Sequence, residues 1–486
     1  MRIERENPAH PREIVGAVHP TPPEGVDAAI LDAHRNFHAW SREPIPTRLA
    51  ALGRAADALD ARKHELASLL ARETGKPISD CRGEIGFAAT YLRWVRDHAA
   101  DILRIRNTDN SQGRITLVRQ PFGVVAAITP WNAPIILSML KLGPALAAGN
   151  AVVLKPSPLA PLTVTAAAEL LPATKVLHGG PDTVRALVTH PLVRKVAFTG
   201  GEQAGRAIAA AAGCALTPVL LELGGNDPAL FLDDFALTPG DFERLVLASF
   251  ATAGQVCMAA KRLYVPQTRL TEFVESYIAA AQRILIVGEP TDESTTMGPV
   301  VTRAAAERVT GLVADARNRG ARVMTLASAP VGDGYFLDPV LALDAPDEAD
   351  LVRFEQFGPA VPILTYRDET EVLTRANNSE LGLAASVWSA DEEHAIAVAS
   401  RIEAGFTFIN THNRTGMSLH APFGGTKNSG FGREYAEEGL LEYVQTTVTH
   451  APGAFRADGA GLPAGAYPDA ARAESASSSA DLPAAP

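Results

Sequence analysis

The sequence predicts an α/β protein of two or more domains, and three observations carry that expectation. Its 486 residues exceed what one ordinary core organises. Hydrophobic residues at 47% and charged residues at 20% give a globular composition. From residue 114 onward, short apolar runs alternate with stretches of helical period, the order of a doubly wound parallel sheet.

Residues 1–24 are proline-rich and are expected to be irregular. From 26 to 98 the pattern is helical. Leu49, Leu52, Ala56, Leu59, Leu66 and Leu70 recur at spacings near three and four, and Ile85, Ala88, Tyr91, Leu92 and Val95 form a second stripe. Gly75-Lys76-Pro77 punctuates the run. Residues 114–119 read as a strand, and the β-rich run 123–129 suits a buried parallel strand. A helix is expected over 134–148, a strand over 151–154, a helix over 162–171, and strands over 175–177 and 195–198. After Gly225 a second α/β segment begins. It has strands at 228–232 and 262–265, helices at 241–253, 268–283 and 301–319, and later strands at 361–366 and 385–388. Residues 441–450 are strand-like. Residues 451–486 have too few large apolar side chains to offset ordering entropy, so disorder is expected there. No internal repeat is present.

The net charge of −11 argues against non-specific nucleic-acid binding, which needs a cationic surface. The three cysteines, Cys81, Cys214 and Cys257, are far apart and indicate neither a disulfide framework nor a thiolate zinc site. No HExxH occurs, so no metal is expected. The first ten residues lead into no apolar segment, so no signal peptide is expected, and the reading is a cytoplasmic protein in a reducing compartment. The uncharged stretch 120–140 contains Pro121, Gly123, Pro130, Asn132 and Pro134, which suits a buried strand, turn and helix and not a membrane span. The sequons at Asn377 and Asn413 are read as chance matches.

Several residues could carry chemistry. A lone cysteine such as Cys257 is most often a small buried hydrophobe, but Gly254 just before it relaxes the backbone and Gln255 is an odd residue for a plain core turn. Glu222 follows an apolar run, where a carboxylate is costly to bury unless paired or used, and two glycines, Gly224 and Gly225, come close behind it. Asn132 follows Pro130-Trp131 at the end of a strand, where ligands bind in open α/β sheets, although an Asn in a turn is common. Phe198-Thr199-Gly200 opens a glycine-rich turn whose N–H groups could meet a pyrophosphate. Lys155 closes the preceding strand.

In order along residues 5–450, these stretches resemble the aldehyde dehydrogenase superfamily. They are Pro130-Trp131-Asn132, Lys155-Pro156-Ser157, Phe198-Thr199-Gly200, Glu222-Leu223-Gly224-Gly225, Gly254-Gln255-Val256-Cys257, Glu355-Gln356-Phe357-Gly358-Pro359 and Pro422 to Lys427, the last followed by Ser429-Gly430 and Gly432-Arg433-Glu434. The resemblance implies a Rossmann-like cofactor domain (1–113 and 124–223), a catalytic α/β domain (224–421) and a small β extension for oligomerisation (114–123 and 433–450). By similarity, Cys257 is the nucleophile, since the thiolate is the reactive form. Asn132 and the Cys257 N–H hold the oxyanion, and Glu222 is the general base that hydrolyses the thioester. NAD or NADP is the implied cofactor. Lys155 is matched to its adenine-side ribose, where Ser157 or Lys155 could help accept a 2′-phosphate. Gly200 and Gly205 are matched to the pyrophosphate turn, Glu355 to the nicotinamide ribose and Phe357 to the aromatic beside that ribose. Trp131 and Thr199 are placed beside it. A homodimer or homotetramer is implied, with Arg433 in the oligomerising part.

Three departures from the family pattern stand out. Pro158 occupies a position where NAD-preferring members often carry Glu, so NADP is not excluded. Gly201 replaces a common Ser in the phosphate turn, and the connection from Leu171 to Lys175 looks shortened. Alignment with the family places Ala133, Leu137, Leu140, Ala251, Val256, Met258, Met417 and Phe423 along the aldehyde tunnel. Their apolar character favours an apolar or aromatic aldehyde, with Arg414, His412 and His420 as the groups that could reach a polar tail. The alternatives are a semialdehyde dehydrogenase for a charged substrate and a cofactor-binding homologue without catalysis.

Overall fold

In a computed structural model, residues 2–110 and 113–452 are described, so most of the expected C-terminal tail lies outside the described residues. The chain forms two compact units. Of the described residues, one comprises 2–103 and 120–445, and the other is built from 104–110, 113–119 and 446–452.

The larger unit holds two main sheets. The first has six strands in the order Gly430–Phe431, Val219–Glu222, Val193–Thr199, Val124–Thr129, Ala151–Pro156 and Thr174–Val176. The last five of these are parallel, and the two-residue edge strand runs antiparallel. The first strand in sequence, Val124–Thr129, is central, and later strands add on both sides, which is the doubly wound order. Its side chains alternate between two cores, as a period of two requires. Val125 and Ala127 join the helices Ile45–Ala61, Ile78–Ile102 and Pro134–Ala148 on one face. Val124, Ala126 and Ile128 meet Val26 and Ile30 of helix Pro23–Trp40, with Leu187 and Ile208, on the other. A strand covered on both faces reads as one continuous apolar run, which is why 123–129 was legible.

The second sheet has seven strands, in the order Arg322–Thr325, Val340–Leu343, Ala360–Tyr366, Arg262–Pro266, Pro228–Phe231, Ala384–Trp388 and Phe406–Ile409. All neighbours are parallel except the first pair. Ala229 and Phe231 face one core and Leu230 the other. The smaller unit is a three-stranded sheet, in the order Val444–Ala451, Gly113–Pro121 and Arg106–Asn110.

Three expectations need correction. Residues 1–24 are not irregular throughout, because Ile3–Asn7 and His10–Val18 form an antiparallel hairpin. Its residues, half of them polar and half of intermediate burial, hide the alternation that marks a strand. Arg106–Asn110, assigned from sequence to the cofactor domain, pairs with Gly113–Pro121 instead. All five of its residues are polar and exposed, so nothing apolar betrayed it. The strand expected over 441–450 starts at Val444, after a short helix Ala436–Leu441 that packs on helices Ile78–Ile102 and Pro134–Ala148.

Candidate active site

Parallel register sets the site. Thr129 pairs with Pro156, and Thr199 with Glu222, so four strands of the first sheet end along one edge. Pro130-Trp131-Asn132, Ser157-Pro158, Gly200 and Glu222 therefore share the edge at which open α/β sheets bind ligands. Two cavities lie along it. One, of about 560 Å3, is lined by Lys155, Ser157, Pro158, Arg185, Gly200 and Gln203 among others. The second, of about 350 Å3, is lined by Asn132, Gly224, Cys257, Glu355 and Phe357 among others. Both include Pro130, Trp131, Thr199, Gly200 and Gly201, so they are continuous.

The larger cavity suits a dinucleotide. Helix Glu202–Cys214 starts directly after Gly200 and Gly201, so its free N–H groups and positive dipole end face that space. A Cβ at Gly201 would meet nothing, which leaves open room at the turn. Burial pulls the Lys155 ammonium down to about 8, with no carboxylate acting against it, so it is a cation open to ligand oxygens. Trp131 and Phe357 meet edge-to-face, with ring centroids 5.7 Å apart. Gly205 does not line either cavity. A Cβ there would come within 2.5 Å of Leu223, so it serves close helix–strand packing.

Asn132 is held from behind. Glu84 of helix Ile78–Ile102 accepts from the N–H groups of Ile135 (2.7 Å) and Ile136 (3.3 Å), capping helix Pro134–Ala148 with a carboxylate. Glu84 also ion-pairs with Lys76, and Lys76 donates to the Asn132 carbonyl at 2.9 Å. The Asn132 amide donates to the Gln255 carbonyl at 3.0 Å, which aims it at the loop that carries Cys257. An amide has two N–H bonds, so one remains for another acceptor.

That loop is unusual. Helix Pro239–Phe250 stops, and Thr252, Ala253 and Gly254 follow at φ 56°, 55° and 71°. Three successive left-handed residues are costly for L-amino acids. At Gly254 a side chain is barred as well, since a Cβ would lie 2.3 Å from the Gly358 carbonyl oxygen. Gln255, buried, holds the turn by donating to Thr252 O (2.9 Å) and accepting from Val301 N (2.9 Å), which accounts for a polar residue here. Gly224 and Gly225 allow the other approaches. A Cβ at Gly224 would sit 2.5 Å from Glu355 Oε2, and one at Gly225 would sit 2.7 Å from the Cys257 carbonyl oxygen.

Cys257 is half-buried, Cys81 buried and Cys214 exposed, and all three are free thiols. Desolvation pushes the Cys257 thiol up to about 12, while the Lys261 ammonium pulls the other way. Glu222 is buried beside the cavity and is not in its wall. Its Oε1 has no hydrogen-bond partner and lies next to Gly424. Burial raises its carboxyl well above the usual range, Glu434 adds to the rise, and Lys141 and Arg433 oppose it. Glu222 in turn raises the Cys257 thiol, so the two groups are close enough to interact.

On the remaining expected positions, Leu140 and Phe423 belong to the core cluster against which Ala133, Leu137, Met258, Met417 and Cys257 also pack. Val256 is half-buried and Ala251 is buried, and neither joins that cluster. His412 cannot reach a polar tail. It is buried with Nδ1 2.7 Å from Ser386 Oγ, and burial pulls its imidazole down to about 3. Arg414 ion-pairs with Asp80 at 3.2 Å, and His420 stands edge-on to Trp94 and His98. Arg433 turns inward and donates to the carbonyls of Gly425 (3.1 Å) and Gly432 (2.6 Å). The sequence reading assigned no role to Lys76, Glu84, Lys141, Arg185, Lys261 or Glu434. Lys141 carried a signal, as the one charge in the apolar helix Pro134–Ala148.

With this geometry in place, comparisons with known proteins agree on one family. The sequence profile described as the aldehyde dehydrogenase family matches residues 1–449. The chain is 35% identical to the NADP(+) succinate-semialdehyde dehydrogenase of Escherichia coli over 457 residues, covering 91% of this chain and 93% of that protein. It is 36% identical to betaine aldehyde dehydrogenase of Rhizobium etli over 449 residues, covering 90% and 91%. A crystal structure of Mycobacterium tuberculosis aldehyde dehydrogenase complexed with NAD+ superposes with a TM-score of 0.87 at 33% identity, covering 94% of this chain and 95% of that one. Matched over residues 1–449 in sequence and over 94% of its length in fold, the chain belongs to the aldehyde dehydrogenase family.

Proposed function

We propose that the NAD(P)-dependent aldehyde oxidation of this chain runs through Cys257, with Asn132 and Glu222 as its partners. The observation that carries the reading is that Asn132 and Cys257 line one cavity, while Glu222 is buried and acts electrostatically on Cys257. The Cys257 sulfur adds to the aldehyde carbonyl, and its proton passes to a base. The negative oxygen so formed takes hydrogen bonds from the free Asn132 amide N–H and from the Cys257 N–H. When bound, the nicotinamide supplies the hydride acceptor, and an acyl thioester is left on Cys257. Glu222 then removes a proton from water as the water attacks the thioester, which releases the carboxylic acid and returns the thiolate. Burial raises its carboxyl above the usual carboxylate range, which is the direction a general base needs.

The residues present fit NAD or NADP. Lys155, Ser157 and Pro158 would hold the adenine-side ribose, Thr199 and Gly200 the pyrophosphate, and Trp131, Glu355 and Phe357 the nicotinamide side. The six-stranded sheet is the cofactor-binding part, the seven-stranded sheet the catalytic part, and the three-stranded sheet the part used in a homodimer or homotetramer. The edge strand Val444–Ala451 is exposed along nearly its whole length, which supports that last role. Three free cysteines suit a reducing, cytoplasmic compartment. No helix among the described residues is long and apolar enough to cross a membrane.

For substrate, we infer an apolar or aromatic aldehyde. Ala133, Leu137, Met258 and Met417 pack, as Cys257 does, against one apolar cluster that includes Leu140 and Phe423, which supports an apolar tunnel. A charged semialdehyde is the second reading, favoured by the likeness to succinate-semialdehyde dehydrogenase and by Arg414. Rates for aliphatic, aromatic and carboxylate-tailed aldehydes with both cofactors decide between them. Cofactor binding with no turnover across that panel would leave a non-catalytic homologue.

A further inference from the structure

Lys261 is a buried cation four residues beyond the nucleophile, and the chemistry above gives it no task. Its side chain is 3% exposed. Its ammonium donates to the carbonyl oxygen of Val256 at 2.7 Å and also to that of Cys257. Glu355 Oε1, 3.3 Å away, supplies a counter-charge, and Asp227 lies within its field. A buried cation with both carbonyl acceptors and an anion is satisfied, so its position is well determined.

The consequence follows from peptide geometry. No peptide bond in the described residues is cis, so the Val256 C=O and the Cys257 N–H point in opposite directions. An ammonium that fixes the Val256 oxygen therefore fixes the Cys257 N–H on the far side of the same plane. Among the described residues, no acceptor takes that N–H. The Ala259 N–H also reaches the Val256 oxygen, at 3.2 Å, but as a neutral donor it is the weaker of the two. A charged donor on the carbonyl also polarises the amide, which makes its N–H a stronger donor.

We propose that Lys261 is a positioning residue that aims the Cys257 N–H at the developing oxyanion by pinning the Val256–Cys257 peptide. The proposal rests on the assignment of Cys257 as nucleophile. Neither of the two cavities along the strand edge includes Lys261 in its wall, so it acts through the backbone and not by touching substrate.

The test uses the full-length protein with Lys261→Met, which keeps the stem and loses the donors, and Lys261→Gln, too short to span both carbonyls. Fold is checked by thermal melting and cofactor fluorescence. For K261M, kcat with propanal or benzaldehyde is expected to fall about 10- to 100-fold, the range for a compromised oxyanion donor, while KM for aldehyde and cofactor stays within about threefold. Alkylation of Cys257 by iodoacetamide displaces iodide at carbon and places no charge at the N–H. Its rate is expected to fall only severalfold, through the lost positive charge near the thiol. K261Q should fall between wild type and K261M, and it decides the matter if K261M does not fold. A wild-type kcat in a folded variant overturns the proposal. So does a parallel fall of kcat and alkylation, which would place the effect on the thiol or the fold. Activity surviving in Cys257→Ala would instead overturn the nucleophile assignment beneath it.

Discussion

Lys141 and Glu434 stand 293 positions apart in the chain and 2.7 Å apart in the fold, with neither side chain more than 3% exposed. Lys141 also donates to Thr199 Oγ1 at 2.7 Å, so the pair reaches from helix Pro134–Ala148 to the strand edge. Both charges act on Glu222, and in opposite directions. Glu434 raises its carboxyl and Lys141 lowers it. Burial is the main cause of the raised proton affinity of the proposed base, and the ion pair tunes it.

Replacing one partner exposes this arrangement. Lys141→Met leaves the Glu434 carboxylate buried without its counter-charge, which is expected to cost about 3–5 kcal/mol, read from urea unfolding. Glu434→Gln keeps an acceptor and should cost less. Their effects on the acid limb of kcat should have opposite signs. Removing Glu434 removes a raising influence, so the limb moves to lower pH. Removing Lys141 moves it to higher pH. A shift in the same direction in both variants would mean that Glu222 is not the group titrating.

Separate steps should fail in separate variants. Glu222→Gln still adds and oxidises the aldehyde, so a burst of about one reduced cofactor per site is expected, with steady turnover down roughly 10²- to 10⁴-fold. Asn132→Ala loses an oxyanion donor, so the burst itself should slow by about 10²- to 10³-fold. Rapid-mixing measurements distinguish the two. A full-rate burst in Asn132→Ala would remove its amide from the oxyanion site.

Much of this was legible in the sequence because the first sheet is buried on both faces. Val124–Thr129 is one apolar run, and helix Pro134–Ala148 begins at a proline after Asn132, so both were placed within a residue or so. The hairpin Ile3–Asn7 with His10–Val18 and the strand Arg106–Asn110 left no such trace, since the hairpin mixes polar and apolar residues, mostly half-buried or exposed, and Arg106–Asn110 is polar and exposed throughout. At the site, the resemblance carried Cys257, Asn132 and Glu222, but not the residues that hold them. Lys76 and Glu84 act through a carbonyl and helix N–H groups contributed from a distant segment, and spacing along the chain does not encode such contacts. Lys261 bonds the nearby Val256 carbonyl, which needs the backbone of the loop to be seen. Gly205 lies within helix Glu202–Cys214, where its lack of a side chain makes room for Leu223.

Asp227 offers a stability test with a defined sign. Burial pushes its carboxyl up to about 8 from 3.8, against the pull of Lys261, the Ala384 N–H and Arg262. A pKa raised on folding means the native state holds the proton more tightly. The resulting stability is fully present below about pH 4 and is lost as pH rises through about 8. Asp227→Asn keeps the acceptor for Ala384 and cannot ionise. Urea unfolding at pH 5 and pH 8 should show the wild type losing stability relative to the variant. Equal pH dependence in the two would assign the loss elsewhere.

Cofactor choice should turn on position 158. Lys155, Ser157, Pro158 and Arg185 all line the larger cavity, whose lining holds two cations and no carboxylate. Burial already draws the Lys155 ammonium down to about 8, so a nearby anion would restore its charge and gain by doing so. A 2′-phosphate is such an anion, and a glutamate side chain at 158 would compete with it for the same space and repel it. Pro158→Glu is therefore expected to lower kcat/KM with NADP by about tenfold or more, equivalent to roughly 1.4 kcal/mol, while kcat/KM with NAD changes less than about threefold. Losing a proline at this turn could weaken both cofactors through the backbone. Pro158→Gln separates the two effects, because it makes the same backbone change without the charge. If Pro158→Gln and Pro158→Glu lower NADP use equally, electrostatics at 158 does not set the preference, and Arg185 becomes the residue to change next.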